Sequence, residues 1–181
     1  LYWCESISAT NPCGEIPLPP YGACNLGSVN LPLLVRSPSS RLQEFDWARL
    51  CDIVQTAVRF LDDVIDISGF PLERQAECAR ATRRIGIGVT GLADALAMLG
   101  LRYDSDAGRD FASRVMQHVR DAAYTASIRL AQEKGAFPLF DRARYLEAPF
   151  VRRIPDALRS GIAEHGIRNS HLLAIAPAGT I

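Results

Sequence analysis

The sequence has no uninterrupted apolar run approaching the roughly 20 residues that a bilayer-spanning helix needs. Its first residues do not follow the basic-then-apolar order of a secretion signal, so it reads as cytoplasmic. Excess charge is missing as well, because 20 Lys and Arg face 20 Asp and Glu. A net charge near zero gives no global drive toward DNA, RNA or a membrane surface, although a small phosphate-bearing ligand needs only local donors. Internal repeats and low-complexity tracts are absent, which leaves one ordinary domain with its own core. The five cysteines, Cys4, Cys13, Cys24, Cys51 and Cys78, lack the paired short spacings of a zinc site. His118, His165 and His171 lie far along the chain from the first three of them. In a reducing compartment an odd set of this kind is free, catalytic or redox-active rather than a framework of structural staples. The chain begins at Leu1 rather than Met and stops at Ile181 just after a strand-like run, so a piece of a longer polypeptide is expected.

What is present divides into three stretches. Residues 1–35 are rich in Pro, Gly, Asn and Cys and suggest extended, loop-dominated structure. Ser37-Pro38-Ser39-Ser40 reads as a surface turn or short linker. Residues 46–168 are mainly helical in pattern. Asp46 caps a helix whose Trp47, Leu50, Val54, Ala57, Val58, Leu61, Val64 and Ile65 recur at helical spacing before Gly69. A second helix runs from Pro71 to about Arg83, followed by a β-like run at Ile85–Val89 and a helical segment at Thr90–Leu99. A long helix is expected from Ser105 to Lys134, with Phe111, Val115, Val119, Ala122, Ala126 and Leu130 as its buried stripe. Residues 141–168 read as short helices joined by Pro-containing turns. Residues 171–181 contain a buried-strand pattern at Leu172–Ala176 that runs into Pro177-Ala178-Gly179-Thr180-Ile181. The fold class is α/β, helix-rich, with too few strands to close a sheet of their own.

The chemistry concentrates in Thr10-Asn11-Pro12-Cys13-Gly14-Glu15. If this backbone is extended, Asn11, Cys13 and Glu15 project to one side. An amide that orients a hydroxyl, a thiol that donates a hydrogen atom and a carboxylate that takes a proton would then share one loop. Composition alone favours a blander reading, in which Cys13 is a small buried residue. A second thiol arrives at Cys24 after a proline-stiffened return, and a Cys13–Cys24 disulfide is conceivable.

Asn-Pro-Cys-Gly-Glu, with Pro-Leu-Pro-Pro-Tyr-Gly-Ala-Cys-Asn-Leu-Gly-Ser-Val-Asn-Leu at 17–31, closely resembles the large catalytic chain of ribonucleotide reductases. Arg83-Arg84-Ile85-Gly86-Ile87-Gly88-Val89-Thr90-Gly91-Leu92-Ala93-Asp94 is similar to a second signature of that family, and Ala176–Ile181 to a third. The motifs follow the family's order and cover essentially the whole chain. The resemblance implies a partial ten-stranded α/β barrel within one catalytic domain, with the Cys13 loop projecting into the barrel centre. It implies that Cys13 is the thiyl-radical cysteine, Glu15 the base on the ribose 3′ hydroxyl and Asn11 a hydrogen-bond partner of the sugar. Cys24 would be one of two reducing thiols, whose partner lies upstream in the family and has no match here; Cys4 is a poor substitute. Asn11 to Glu15 and Pro177, Ala178, Gly179, Thr180 and Ile181 would bind substrate, the latter loop at its phosphates.

The wording around Cys13 and its short separation from Cys24 resemble the class II members that use adenosylcobalamin. The implied reaction is reduction of ribonucleoside diphosphates, with thioredoxin or glutaredoxin as reductant, a homodimer when full-length, and no DNA, RNA or membrane partner. The alternatives are a class I large chain that needs a separate metal-containing radical subunit, and a truncated remnant that only binds nucleotide or a partner. An isolated piece of barrel is expected to expose strand edges and apolar surface.

Other features read as structural. Gly86, Gly88 and Gly91 match G-x-G-x-x-G, but Asp94 and Asp104 are poorly placed for a ribose-binding acid and no βαβ unit is evident. The glycines are expected to serve close helix–strand packing. From local sequence alone, Pro177–Thr180 is an ordinary strand-ending turn. Cys51 and Cys78 read as inert packing residues, and Asp62-Asp63 and Arg83-Arg84 as solvated faces or helix-end charges.

Overall fold

The computed structural model describes residues 1–36 and 44–179. The expected turn at Ser37–Ser40, together with Thr180 and Ile181, lies outside the described residues. The chain opens with a hairpin of β1 (Ala9–Thr10) and β2 (Pro17–Leu18), paired antiparallel with Ala9 opposite Leu18. β3 (Asn25–Asn30) follows and leads through a 3-10 turn at Leu31–Leu34 into β4 (Val35–Arg36), which pairs with β5 (Glu44–Phe45). Then come α1 (Trp47–Ile67), α2 (Glu73–Thr82), β6 (Ile85–Thr90), α3 (Leu92–Met98) and α4 (Asp106–Lys134). The chain ends with α5 (Arg142–Glu147), a 3-10 turn at Val151–Arg153 and α6 (Asp156–His165). Helices dominate, and no closed barrel is formed among the described residues.

The two long helices start where the sequence indicates. The Asp46 carboxylate accepts from Arg49 N at 3.0 Å, and the Ser105 hydroxyl accepts from Gly108 N at 3.1 Å, each satisfying a donor that a helix start leaves orphaned. α1 and α4 pack against each other through the expected stripes, Leu50, Val54, Val58, Leu61 and Ile65 meeting the core to which Phe111, Val115, Val119, Ala122, Ala126 and Leu130 belong. Each fully buried aliphatic side chain contributes about 1.5–3 kcal/mol, so this contact is the main apolar support of the fold.

β3 and β6 run parallel, from Asn25 opposite Ile85 to Asn30 opposite Thr90. α1 and α2 lie between them in sequence and form the crossover, so a β-helix-β unit exists where none was evident. The glycine motif sits in its second strand rather than after its first, which removes the dinucleotide reading. Ile85 to Gly88 are buried on both faces, the pattern of a central parallel strand.

On the other side of β6 lies the segment 171–174. Ile85 N donates to His171 O at 3.1 Å, Ile87 N to Leu172 O at 2.7 Å and Ala174 N to Ile87 O at 3.1 Å. The buried strand expected at Leu172–Ala176 is therefore reduced to one parallel bridge at Leu173, and Ile175 is half-exposed. The close approach explains two glycines. A β-carbon on Gly86 would lie 2.6 Å from Leu26 and 2.7 Å from Ala174, and one on Gly88 would collide with Ala174 O. The packing is close, as expected, but it joins neighbouring extended segments rather than a helix and a strand. The outer edge of β3 has no strand partner among the described residues, and Leu26, Leu33 and Phe60 beside it are exposed.

Of the two charged pairs, Asp62, Arg83 and Arg84 are buried rather than solvated, Asp63 is half-exposed, and Arg83 stands at the end of α2. Asp62 is 0% exposed and Arg83 4%. Arg83 Nε donates to Asp62 Oδ1 at 2.8 Å, Asn169 Nδ2 to the same oxygen at 2.9 Å, and Arg168 Nε to Asp62 Oδ2 at 3.3 Å. Asn169 Nδ2 also donates to Arg83 O at 3.0 Å, and Ser127 Oγ donates to Asn169 Oδ1 at 2.9 Å. The network joins α1, the α2–β6 junction, α4 and the entry to segment 171–174. Arg83 holds φ 46, a left-handed conformation that closes α2 and starts β6. Asp66, against Arg83, and Asp63, against Lys134, complete a compensated acidic trio, and the Arg83 guanidinium holds the Asp66 carboxyl below the usual carboxylate range.

Asp62→Ala in the intact polypeptide leaves the buried Arg83 with Asp66 as its remaining carboxylate and strips Arg168 and Asn169 of their buried acceptor. It is expected to cost about 3–5 kcal/mol in urea unfolding. Asp63→Ala, at a half-exposed position, is expected to cost less than about 1 kcal/mol.

Candidate active site

Asn11–Ile16 is a turn, not an extended strand, so the expected alternation of side chains is not what brings residues together. Gly14 N donates to Asn11 O at 3.0 Å, closing a four-residue turn with Pro12 and Cys13 at its centre. Asn at the first position, Pro at the second and Gly at the fourth are the residues such a turn favours. Gly14 has φ +83, which an L side chain rarely adopts. The Asn11 side-chain oxygen accepts from Ile16 N at 3.0 Å, and Asn11 N donates to Ile16 O at 3.1 Å. One face of the Asn11 amide is thus used by the hairpin, leaving Nδ2 for a ligand.

The turn presents its groups in different surroundings. Pro12, Cys13 and Gly14 form an exposed tip, so Cys13 is not the small buried residue that composition favours. Ile16 is buried and anchors the hairpin. Glu15 is half-buried, and its Oε2 is a buried oxygen without a hydrogen-bond partner. Glu15 lines a cavity of about 330 Å³ together with Ile16, Pro17, Cys24, Arg84, Ile85, His171 and Ala174. The cavity brings together Glu15 and Cys24 but not Asn11 or Cys13, which stand on the turn outside it.

The chain returns from the hairpin through a turn in which Gly22 N donates to Pro19 O at 3.0 Å and Tyr21 adopts φ 61. Cys24 then precedes β3, which Asn25 Nδ2 ties to Leu61 O of α1 at 3.2 Å. Burial pushes the Cys24 thiol up to about 12, and the nearby negative charge of Glu15 acts in the same direction against the lowering effect of Arg84. Cys24 is therefore a neutral thiol at physiological pH. All five cysteines are free, so the conceivable Cys13–Cys24 disulfide is not formed. Cys4 is exposed and does not line the cavity, while Cys51 and Cys78 are half-buried with thiols raised by burial, consistent with inert packing.

Three polar residues that line the cavity, Glu5, Arg84 and His171, were not picked out as site residues by the sequence reading. Arg84 is 5% exposed and donates through Nη2 to both oxygens of Glu5, at 2.9 and 2.8 Å. His171 shares a 2.9 Å hydrogen bond with Ser170 Oγ, and burial, with the Arg84 charge beside it, lowers its pKa to about 3. The only sequence signals were the adjacency of Arg84 to a strand and of His171 to Pro177–Ile181. Pro177, Ala178 and Gly179 are exposed without regular structure, and the cavity lining stops short of them at Ala174.

Comparison with known proteins decides the family. A sequence model described as the ribonucleotide reductase barrel domain matches residues 2–181. The chain belongs to the ribonucleotide reductase barrel-domain family. It is 47% identical over 175 residues to a vitamin B12-dependent ribonucleoside-diphosphate reductase of Mycobacterium tuberculosis, an alignment covering 97% of this chain and 22% of that protein. It is 41% identical to a similarly named protein of Thermoplasma acidophilum, over 97% of this chain and 20% of that one. It is 33% identical to the ribonucleoside-diphosphate reductase subunit alpha of Treponema pallidum, over 87% of this chain and 18% of that subunit. The chain thus spans about a fifth of the length of the curated relatives it matches.

The depressed His171 pKa sets a pH dependence for this reductase-family segment. Unfolding returns the imidazole to about 6.5, so the unfolded state binds the extra proton between pH 6.5 and pH 3. The contribution is complete above pH 6.5 and is lost as pH falls through that window. His171→Gln is expected to flatten the decline in unfolding free energy between pH 6.5 and pH 4, measured by urea melts at successive pH values.

Proposed function

We propose that this chain is the radical-cysteine segment of a ribonucleoside-diphosphate reductase that uses adenosylcobalamin. The observation that carries the reading is the buried, unpartnered Glu15 oxygen lining one cavity with the neutral thiol of Cys24. A buried polar oxygen without a partner is costly unless a ligand satisfies it. A sugar hydroxyl is a ligand of the right chemistry.

In this reading Cys13, as a thiyl radical, takes the hydrogen atom from the 3′ carbon of the ribose and returns it at the end. Glu15 accepts the proton of the 3′ hydroxyl. The 2′ hydroxyl takes a proton and leaves as water. Cys24 and a second thiol together supply two electrons and two protons, one proton to the departing 2′ hydroxyl and the other, with the electrons, to the 2′ carbon, and become a disulfide, so the sum is ribonucleotide plus two thiols giving deoxyribonucleotide, disulfide and water. The raised Cys24 pKa suits this step, because the group must deliver hydrogen rather than act as a thiolate. Asn11 uses its free amide nitrogen to hold the sugar. Ala178 and Gly179, with Thr180 and Ile181, hold the substrate phosphates through backbone N–H groups, and Pro177, which has none, opens this substrate loop.

Adenosylcobalamin, when bound, supplies the radical that removes the hydrogen atom from a thiol. The exposed tip of Pro12, Cys13 and Gly14 fits that need, because its sulfur is reachable and not engaged in packing. The cobalamin reading is favoured over a class I large chain by the higher identity to relatives named vitamin B12-dependent. The two parallel strands and segment 171–174 are read as part of a ten-stranded α/β barrel, with residues 1–35 as the catalytic-cysteine loop and return, 46–168 as helical cover and 171–181 as strand and phosphate loop. Thioredoxin or glutaredoxin, in the cytoplasm, would reduce the disulfide, and the complete protein would pair as a homodimer.

The test is conversion of CDP to dCDP by the complete gene product. Adenosylcobalamin and a dithiol are expected to suffice, Cys13→Ser to abolish turnover, and Glu15→Gln to reduce kcat by about 10²–10⁴-fold, the range of acid–base contributions. A requirement for a separate metal-containing subunit would refute the cobalamin assignment, and retained turnover in Cys13→Ser would refute the radical assignment.

A further inference from the structure

We infer that Arg84 is a positioning residue, which together with Glu5 clamps the catalytic hairpin against the cavity that Cys24 lines. The inference rests on the reductase reading above and adds the device that holds its parts in register.

Three observations carry it. First, Arg84 grips both limbs of the hairpin. Its Nη2 donates to Glu5 Oε1 and Oε2, four residues before β1, and its Nη1 makes a long contact of 3.5 Å to Pro17 O, where β2 begins. Second, the clamp is buried, Arg84 at 5% and the Glu5 side chain at 10% exposure, so neither charge is screened by bulk water. A buried cation and carboxylate hold a geometry because breaking one leaves the other uncompensated. Third, the backbone under Arg84 is fixed by its neighbour. Arg83 is locked into Asp62, and Ile85, the first residue of β6, donates its N–H to His171 O, so Arg84 leaves the core at a rigid point. The hairpin is thereby referenced to β6, whose Gly86 lies beside the Cys24 sulfur.

Arginine suits this task. Its planar fork meets both oxygens of one carboxylate and still has a nitrogen for the second limb, whereas lysine offers a point charge. The same side chain lines the cavity with Glu15 and Cys24, so its placement bears on the chemistry as well as on stability. Misplacement of a reacting group by about 1 Å can cost on the order of 10²-fold in rate.

The experiment uses the complete gene product carrying Arg84→Met, Arg84→Lys or Glu5→Gln, with Cys13→Ser alongside. Hydrogen exchange of residues 7–18 is compared with that of α1 and α4, and kcat and KM are measured for CDP. We expect Arg84→Met to speed exchange across 7–18 while α1 and α4 stay as in wild type. Its kcat should fall by about tenfold or more, with KM changed by less than about threefold. Arg84→Lys and Glu5→Gln should lie between wild type and Arg84→Met in both readouts, and they stand in if Arg84→Met does not fold. Unchanged exchange in 7–18, or exchange that rises equally in α1 and α4, would overturn the clamp, as would wild-type kcat in the Arg84 variants beside an inactive Cys13→Ser. Turnover in Cys13→Ser would instead overturn the radical reading, and the exchange data would still decide the clamp.

Discussion

A carboxylate with no exposed surface, Asp62, organises this chain. It sits on the apolar stripe of α1, four residues after Val58 and three before Ile65, and accepts from Arg83, Arg168 and Asn169. These three donors come from the two places where the chain turns into an extended segment, just before β6 and just before 171–174. An ionised group inside a core is tolerated only when several donors surround it, and the geometry of those donors then becomes obligatory. The alignment of β6 with segment 171–174 follows from that obligation, and the absence of side chains at Gly86 and Gly88 lets the two approach.

From this frame the candidate site is assembled by adjacency. Arg83 and Arg84 are consecutive, yet Arg83 turns to the helical scaffold and Arg84 to the hairpin and cavity. One dipeptide therefore ties the buried Arg83–Asp62 ion pair to the cavity that Glu15 and Cys24 line. The hairpin carries an exposed thiol at its tip and a half-buried carboxylate at its base, two environments within three residues. The thiol stays reachable, while the carboxylate retains an unsatisfied oxygen facing the space beside Cys24. His171 adds a neutral imidazole to that space, because burial and the Arg84 cation both disfavour its charge.

Much of this was legible in residue order. The starts of α1 and α4 follow from Asp46 and Ser105, short polar side chains placed just before apolar periodicity, and the helix interface follows from the stripes themselves. Asn-Pro-Cys-Gly marked the candidate loop, although the same residues specify a tight turn rather than the extended run that would have aligned three side chains. Asp62 could have been found, since its spacing from Val58 and Ile65 puts it inside the stripe. A charged residue at such a position is a request for partners distant in sequence. What could not be found was the identity of those partners, Arg83, Arg168 and Asn169, which no local spacing connects.

The sequence by itself determined the helices, the turn that bears Cys13 and the family to which the chain belongs, because each depends on short-range propensity or on residues close together in order. Only the tertiary structure decided that Arg83 and Arg84 are buried, that Glu15 and Cys24 share a cavity with His171, and that β3 lies parallel to β6. The ion pairs among them join residues 21 positions apart, Asp62 to Arg83, and 79 apart, Glu5 to Arg84. Such pairing becomes strong only once the core has excluded water, so a linear reading can flag a buried charge such as Asp62 but not its partners.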